Sequence, residues 1–157
     1  MTPAIEYLRY HKIPYSLHEY QLQHSSDNYG QAVADTLGVP HHRLFKTLLV
    51  VLNGNPKTLA ACLVPVAGNL NLKLAAKALG AKKAELADLA SAEKSSGYVV
   101  GGISPFGQKK PLPTLLDSSA LALPTLFASG GRRGLQIEVE PTLLAQALSA
   151  IIANIAH

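Results

Sequence analysis

The chain has 157 residues, of which 48% are hydrophobic and 15% charged, with a net charge of +4. This balance suits one mixed α/β domain over residues 1–157 with a real core, and it excludes an intrinsically disordered chain. Cys62 is the only cysteine, so an intramolecular disulfide and a Cys-based zinc site are both excluded, and a buried thiol in a reducing compartment is expected.

Thr2-Pro3 reads as an N-cap and first helical position, followed by an apolar face (Ile5, Leu8) that ends near His11. Pro14 breaks the pattern, Tyr15 to Tyr20 is a strand, and Gln21 to Asn28 is a polar connection. Tyr29 to Leu37 is helical, with Gly38 as its stop, and Pro40 opens a turn. Phe45 to Leu52 is the strongest strand signal. Asn53-Gly54 supplies hairpin chemistry, and Thr58 to Val66 returns as a second strand. Both are apolar on both faces, which places them centrally in a covered sheet.

Asn71 caps a helix over Leu72 to Leu79, stopped by Gly80, and Ala84 to Ser95 reads as one or two helical turns closed by Gly97. Tyr98 to Gly107 is glycine-rich. Leu112 to Asp117 and Thr125 to Ala128 are short strands, and Ser129 to Gly134 is a second glycine-rich turn. Leu135 to Glu140 alternates as a half-exposed strand should, and Pro141 opens a helix expected to reach about Ile152. No repeat or linker interrupts this order.

The start of the chain has neither a basic n-region nor an apolar h-region, and no apolar run approaches the roughly 18 residues of a membrane span. A soluble, cytoplasmic protein is expected, with no membrane partner. The cations come as scattered pairs: Arg43/Lys46, Lys73/Lys77, Lys82/Lys83, Lys109/Lys110 and Arg132/Arg133. Such pairs are usually solvated surface, although folding can gather several around one cleft.

Lys46 is the most informative residue. Strand alternation puts it on a face with Leu44, Leu48, Val50 and Leu52, and Phe45, Thr47, Leu49 and Val51 on the other. A lysine at the head of such a strand either snorkels to the rim or stands in a cleft to meet a phosphate or an oxyanion. Gly101-Gly102 either makes a simple turn or lets backbone N–H groups approach a ligand. Neither glycine run is a P-loop or a dinucleotide fingerprint, and Ser129 is not in a nucleophile elbow. The six histidines and ten carboxylates show no metal spacing and no catalytic pair, so the sequence displays no nucleophile, triad, metal site or cofactor motif.

Met1 to Ile5, Phe45-Lys46-Thr47-Leu48-Leu49-Val50, Gly97 to Lys110 (with Gly101-Gly102-Ile103-Ser104-Pro105) and Ser129 to Leu135 together resemble the YbaK family of free-standing Cys-tRNA(Pro) deacylases. The resemblance runs from the first residues to the last helix. It extends to the editing domain of bacterial prolyl-tRNA synthetases, which shares the fold and a matching lysine. It implies a mixed, partly barrel-like sheet with helices around it and a substrate cleft beside the lysine. It also implies catalytic roles for Lys46 and Gly101, and substrate contacts by Tyr20, Tyr29, Thr47, Gly102, Ser129 and Gln136. Tyr29 stands where relatives carry Phe, and Gln136 where some carry an acidic residue.

The resemblance further implies a mechanism without a protein nucleophile, in which the thiol of the mischarged cysteine attacks its own ester. Recognition is expected to centre on the aminoacylated 3′ end of the tRNA, with tRNA identity supplied by prolyl-tRNA synthetase as partner. Nothing in the sequence demands a dimer. Two alternatives stay open: an Ala-tRNA(Pro) deacylase that uses water, and a non-catalytic tRNA- or nucleotide-binding module.

Overall fold

The computed structural model describes residues 1–22 and 28–157. Most of the polar connection read at Gln21 to Asn28, including His24, lies outside the described residues.

The chain opens with helix α1 (Pro3–Tyr10), whose N-cap Thr2 accepts from the Ile5 N–H. Strand β1 (Ser16–Glu19) follows. Helix α2 (Tyr29–Leu37) ends on Gly38 at φ 69°, and a short 3-10 turn spans His41–Arg43. Strands β2 (Phe45–Leu52) and β3 (Asn55–Pro65) form the expected hairpin. Its Asn53 and Gly54 sit at φ 54° and 68°, which is the type I′ geometry that such a pair favours.

Helix α3 (Leu72–Ala78) is capped by Asn71 Oδ1 on the Leu74 N–H. Strand β4 (Ala84–Leu86), helix α4 (Leu89–Ser96) and strands β5 (Thr114–Asp117), β6 (Leu126–Ser129) and β7 (Leu135–Val139) follow. Helix α5 (Pro141–Leu148) and strand β8 (Ile151–Ala153) complete the order.

Three sequence expectations need correction. Ala84 to Leu86 is an edge strand rather than helix, because its backbone pairs with Val50 to Leu52; the helix begins only after Asp88, whose carboxylate caps the Ser91 N–H. The last helix stops at Leu148, where Ser149 turns left-handed (φ 49°), and Ile151–Ala153 then lies parallel to β5. Strand β7 is not half-exposed. It is flanked on both edges by β1 and β6, and Gln136 on it is only 4% exposed.

The strands form two sheets, ordered β4-β2-β3-β5-β8 and β1-β7-β6. Strands β2 and β3 are central, as their two-faced apolar pattern requires. The sheets meet where Leu44 forms a parallel bridge to Phe127, and they curl without closing into a barrel. Phe45, Leu63, Leu116 and Ile137 pack a core between sheets and helices, while Val50, Cys62, Val64 and Leu115 pack a second cluster under α3.

One geometric consequence matters for function. Strand β3 covers one edge of β2 from Phe45 to Leu52. The other edge meets β4 only at Val50 to Leu52, with one further bond from the Ala87 N–H to the Leu49 carbonyl. At its start the bridge at Leu44 leads into the second sheet. Between these points, among the described residues, no strand pairs with this edge of β2. Among the described residues no helix is long and apolar enough to cross a membrane.

The C-terminal strand is held by Asp117, whose carboxylate accepts from the N–H groups of Ile155, Ala156 and Ser119 and is 3% exposed. Asp117→Ala strands three donors, so a loss of about 2–3 kcal/mol is expected, read as a lower denaturant midpoint at unchanged m-value.

Candidate active site

The gap at the β2 edge opens into a cavity of about 530 Å³. Its wall includes every residue from Leu44 to Leu49, together with Tyr29 and Gln31 of α2, the Val66–Asn69 loop, Leu86 and Leu89, Val100 and Gly101, Ser129, Arg133 and Gln136. Lys46, Thr47, Tyr29, Gly101, Ser129 and Gln136 thus come together from four separate stretches of sequence. Tyr20 and Gly102 are not on the wall. Tyr20 is buried behind it, with its hydroxyl 3.1 Å from that of Tyr29. The hydroxyl that Tyr29 adds therefore has a partner, and burial plus this bond raise its pKa. Gly102 packs on the glycine-rich turn, where an added Cβ would come within 2.7 Å of the Arg132 Cα.

Lys46 is half-buried, and among the described residues no carboxylate pairs with it. Desolvation by burial lowers its pKa from the ordinary lysine value. Beside it, Thr47 Oγ1 and Gln136 Oε1 are buried with no hydrogen-bond partner, on residues 8% and 4% exposed. Buried polar atoms are normally paired; both of these belong to residues of the cavity wall. Ser129 stands opposite Gln136 in the β6–β7 register, and its hydroxyl accepts from the Gly131 N–H at 3.1 Å. That bond fixes the turn after β6 and suits a positioning serine better than a nucleophile.

Gly101 has φ 93°, a conformation that L side chains rarely adopt. Among the described residues no acceptor takes its N–H, whereas the neighbouring Val100 N–H is bound by Glu93 Oε2 at 2.8 Å. An added Cβ at Gly101 would stand 2.5 Å from Arg133 Nε. Arg133 is the wall residue that sequence reasoning passed over as surface charge. Its Nε and Nη2 both donate to the Val100 carbonyl (3.3 and 3.1 Å), and its guanidinium lies 5.4 Å from the Tyr29 ring centroid. The available signal was its place in the glycine-rich turn Ser129 to Gly134, one residue beyond Arg132.

The sole thiol, Cys62, is fully buried in β3, and burial pushes its pKa up to about 12, so it is inert as a nucleophile. Among the described residues no group of three or more His, Cys, Asp or Glu side chains could hold a metal ion. The wall therefore carries two cations, Lys46 and Arg133, and at Gly101 a backbone N–H without an acceptor among the described residues.

The model of the aminoacyl-tRNA editing domain matches residues 26–147. The chain belongs to that family. A relative from Enterococcus faecalis, which carries the provisional name Cys-tRNA(Pro)/Cys-tRNA(Cys) deacylase EbsC, is 37% identical over 155 residues, covering 98% of this chain and 92% of its own. Among solved structures, a hypothetical protein superposes with a TM-score of 0.87 at 23% identity, over 99% of both chains. A protein provisionally described as a trans-editing enzyme for prolyl tRNA synthetase gives a TM-score of 0.84 at 22% identity, over 99% of this chain and 95% of its own. As a member of the editing family the chain is an aminoacyl-tRNA editing enzyme, and the mixed α/β fold is the one seen in these structures.

The desolvated lysine has a measurable cost. Below its lowered pKa, Lys46 is charged in both folded and unfolded states, and the folded state bears the full penalty. The penalty disappears as pH rises past the ordinary lysine value, where both states are neutral. Lys46→Met is thus expected to be more stable than the parent at neutral pH, with the gain shrinking to nothing in alkali. Denaturation midpoints between pH 7 and 11 read this directly.

Proposed function

We propose that this protein is a cytoplasmic trans-editing deacylase that removes cysteine from mischarged proline tRNA by thiol-assisted cyclisation. The observation that carries the reading is a cavity whose described wall holds two cations but no cysteine and no histidine to activate a hydroxyl, in a member of the editing family whose 37% identical relative is named for Cys-tRNA(Pro) and Cys-tRNA(Cys).

In this mechanism the thiol sulfur attacks the carbonyl carbon of its own ester. The C–S bond forms, the bond to the ribose 3′-oxygen breaks, and the thiol proton ends on that oxygen. A cyclic thioester leaves and is opened by water. A free thiol of pKa about 8.5 is a few per cent thiolate near neutrality and is intrinsically nucleophilic. Correct alignment of reacting groups is worth about 7–11 kcal/mol, so the protein need supply only geometry and charge stabilisation. Lys46 steadies the oxyanion, the Gly101 N–H holds the aminoacyl group, and Thr47 and Gln136 line the wall around it. Ser129 and Tyr29, backed by Tyr20, shape the wall, and Gly102 lets the loop bearing Gly101 pack close.

A monomer of this size with a net charge of +4 reads the aminoacylated 3′ end rather than the tRNA body. Choice of tRNA falls to prolyl-tRNA synthetase as partner.

Parallel deacylation of Cys-, Ser-, Ala- and Pro-tRNA(Pro) tests the reaction. Fast loss of Cys and slow loss of the others is expected; rapid Ser-tRNA hydrolysis with Cys-tRNA untouched overturns thiol assistance. Preferential Ala-tRNA hydrolysis points instead to a water-using deacylase, and salt-sensitive tRNA binding without turnover to a binding module. Lys46→Ala should lower kcat on the order of 100-fold or more with an unchanged circular dichroism spectrum, and near-normal turnover removes Lys46 from the mechanism.

A further inference from the structure

We propose that Arg133 is the phosphate-binding residue of the site: its guanidinium holds the phosphate on the 5′ side of the terminal nucleotide, leaving Lys46 to serve the ester. This rests on the deacylase reading above. An esterified RNA end has a fixed polarity, with the amino acid at one extreme, the ribose ester in the middle and the phosphate beyond the ribose. With the amino acid inside the cavity, the phosphate lies toward the mouth. The two cations on the described wall are graded in the same sense, Lys46 half-buried and Arg133 exposed.

The guanidinium is also pre-oriented. Nε and the adjacent side of Nη2 share the Val100 carbonyl, and the central guanidinium carbon lies 5.4 Å from the Tyr29 ring centroid. The opposite end, the parallel N–H pair on Nη1 and Nη2, is left without an acceptor among the described residues. That fork is the geometry with which arginine grips phosphate oxygens two at a time. Gly101 makes this posture possible, since a Cβ there would come within 2.5 Å of Nε. The same glycine lines the cavity and gives the arginine room beside it.

The test compares two small substrates that differ by one group: the 3′-cysteinyl ester of adenosine and the 3′-cysteinyl ester of adenosine 5′-monophosphate. The parent protein is expected to show the lower KM for the phosphorylated ester. Arg133→Ala should raise that KM on the order of 10-fold, to the value for the adenosine ester, with kcat nearly unchanged and the adenosine ester unaffected. Arg133→Lys, which keeps the charge but loses the fork, should fall between. With Cys-tRNA(Pro), the dependence of log KM on log salt should lose a slope of about 0.7, as for one phosphate contact on a single strand.

If Arg133→Ala slows both esters equally, or lowers kcat alone, the arginine acts only by bracing the Val100–Gly101 loop and the proposal is overturned. A parent protein that cleaves Cys-tRNA(Pro) but is indifferent to the 5′-phosphate overturns it while sparing the deacylase reading. A parent protein that cleaves neither ester nor Cys-tRNA(Pro) removes both.

Discussion

The uncovered edge at the start of β2 is the constraint on which the site depends. A central strand normally has a neighbour on each side, yet the second neighbour of β2 here is only three residues long and stops at Leu86. The chain then turns through Ala87 to Asp88, whose carboxylate starts α4 and commits the backbone to a helix. At the other end the bridge between Leu44 and Phe127 pulls the strand toward a second sheet that diverges from the first. Part of the wall of this opening is strand, Phe45 to Leu49 with Ser129 and Gln136, and paired strand residues are rigidly placed. Lys46 and Thr47 are thus held by a paired backbone rather than by a loop, and side chains on such elements keep their geometry when a substrate arrives.

That opening has an energetic cost of its own. A half-buried ammonium and two unpaired buried oxygens oppose folding, the unpaired atoms by about 1–3 kcal/mol each. The core on either side offsets them. Phe45 and Leu63 are almost wholly buried on one side, and Val50, Cys62 and Leu115 on the other, so the two strands that carry the strained site are also the best anchored. Of the four buried side-chain oxygens without a partner among the described residues, Thr47 Oγ1 and Gln136 Oε1 belong to this wall, and Ser95 Oγ and Gln108 Oε1 lie away from it.

Much of this architecture was written locally. Thr2-Pro3, Asn53-Gly54, Asn71 and Gly97 each act through their own backbone preferences, and the elements they bound lie where those preferences put them. The failures arose where tertiary pairing overrode local pattern. Ala84 to Leu86 has good helix formers but lies along β2, and Ile151 to Ala153 leaves the helical pattern to extend the β5 edge. Gln136 looked solvent-facing because it alternates with apolar neighbours. Only the second sheet, folded over the first, turns it into the cavity. Lys46 stood out because a cation in an apolar strand is anomalous in any context. Arg133 did not, because an arginine in a glycine turn is ordinary until Val100, Gly101 and Tyr29 are seen to hold it.

On the proposed reading, the dimensions of the cavity bear on how it discriminates. A volume of about 530 Å³ is far more than a cysteine side chain fills, and it accommodates part of the nucleoside as well. A pocket that roomy cannot reject serine or alanine by size, and a hydrophobic wall separates side chains differing by one small group by only about 10- to 200-fold. Discrimination by reactivity needs no tight fit. A side chain that carries its own nucleophile reacts when held near its ester, and one that lacks it is released unchanged. A cavity that carries two cations and a bare N–H, in a chain whose only cysteine is sealed in the core, suits selection by chemistry rather than by shape.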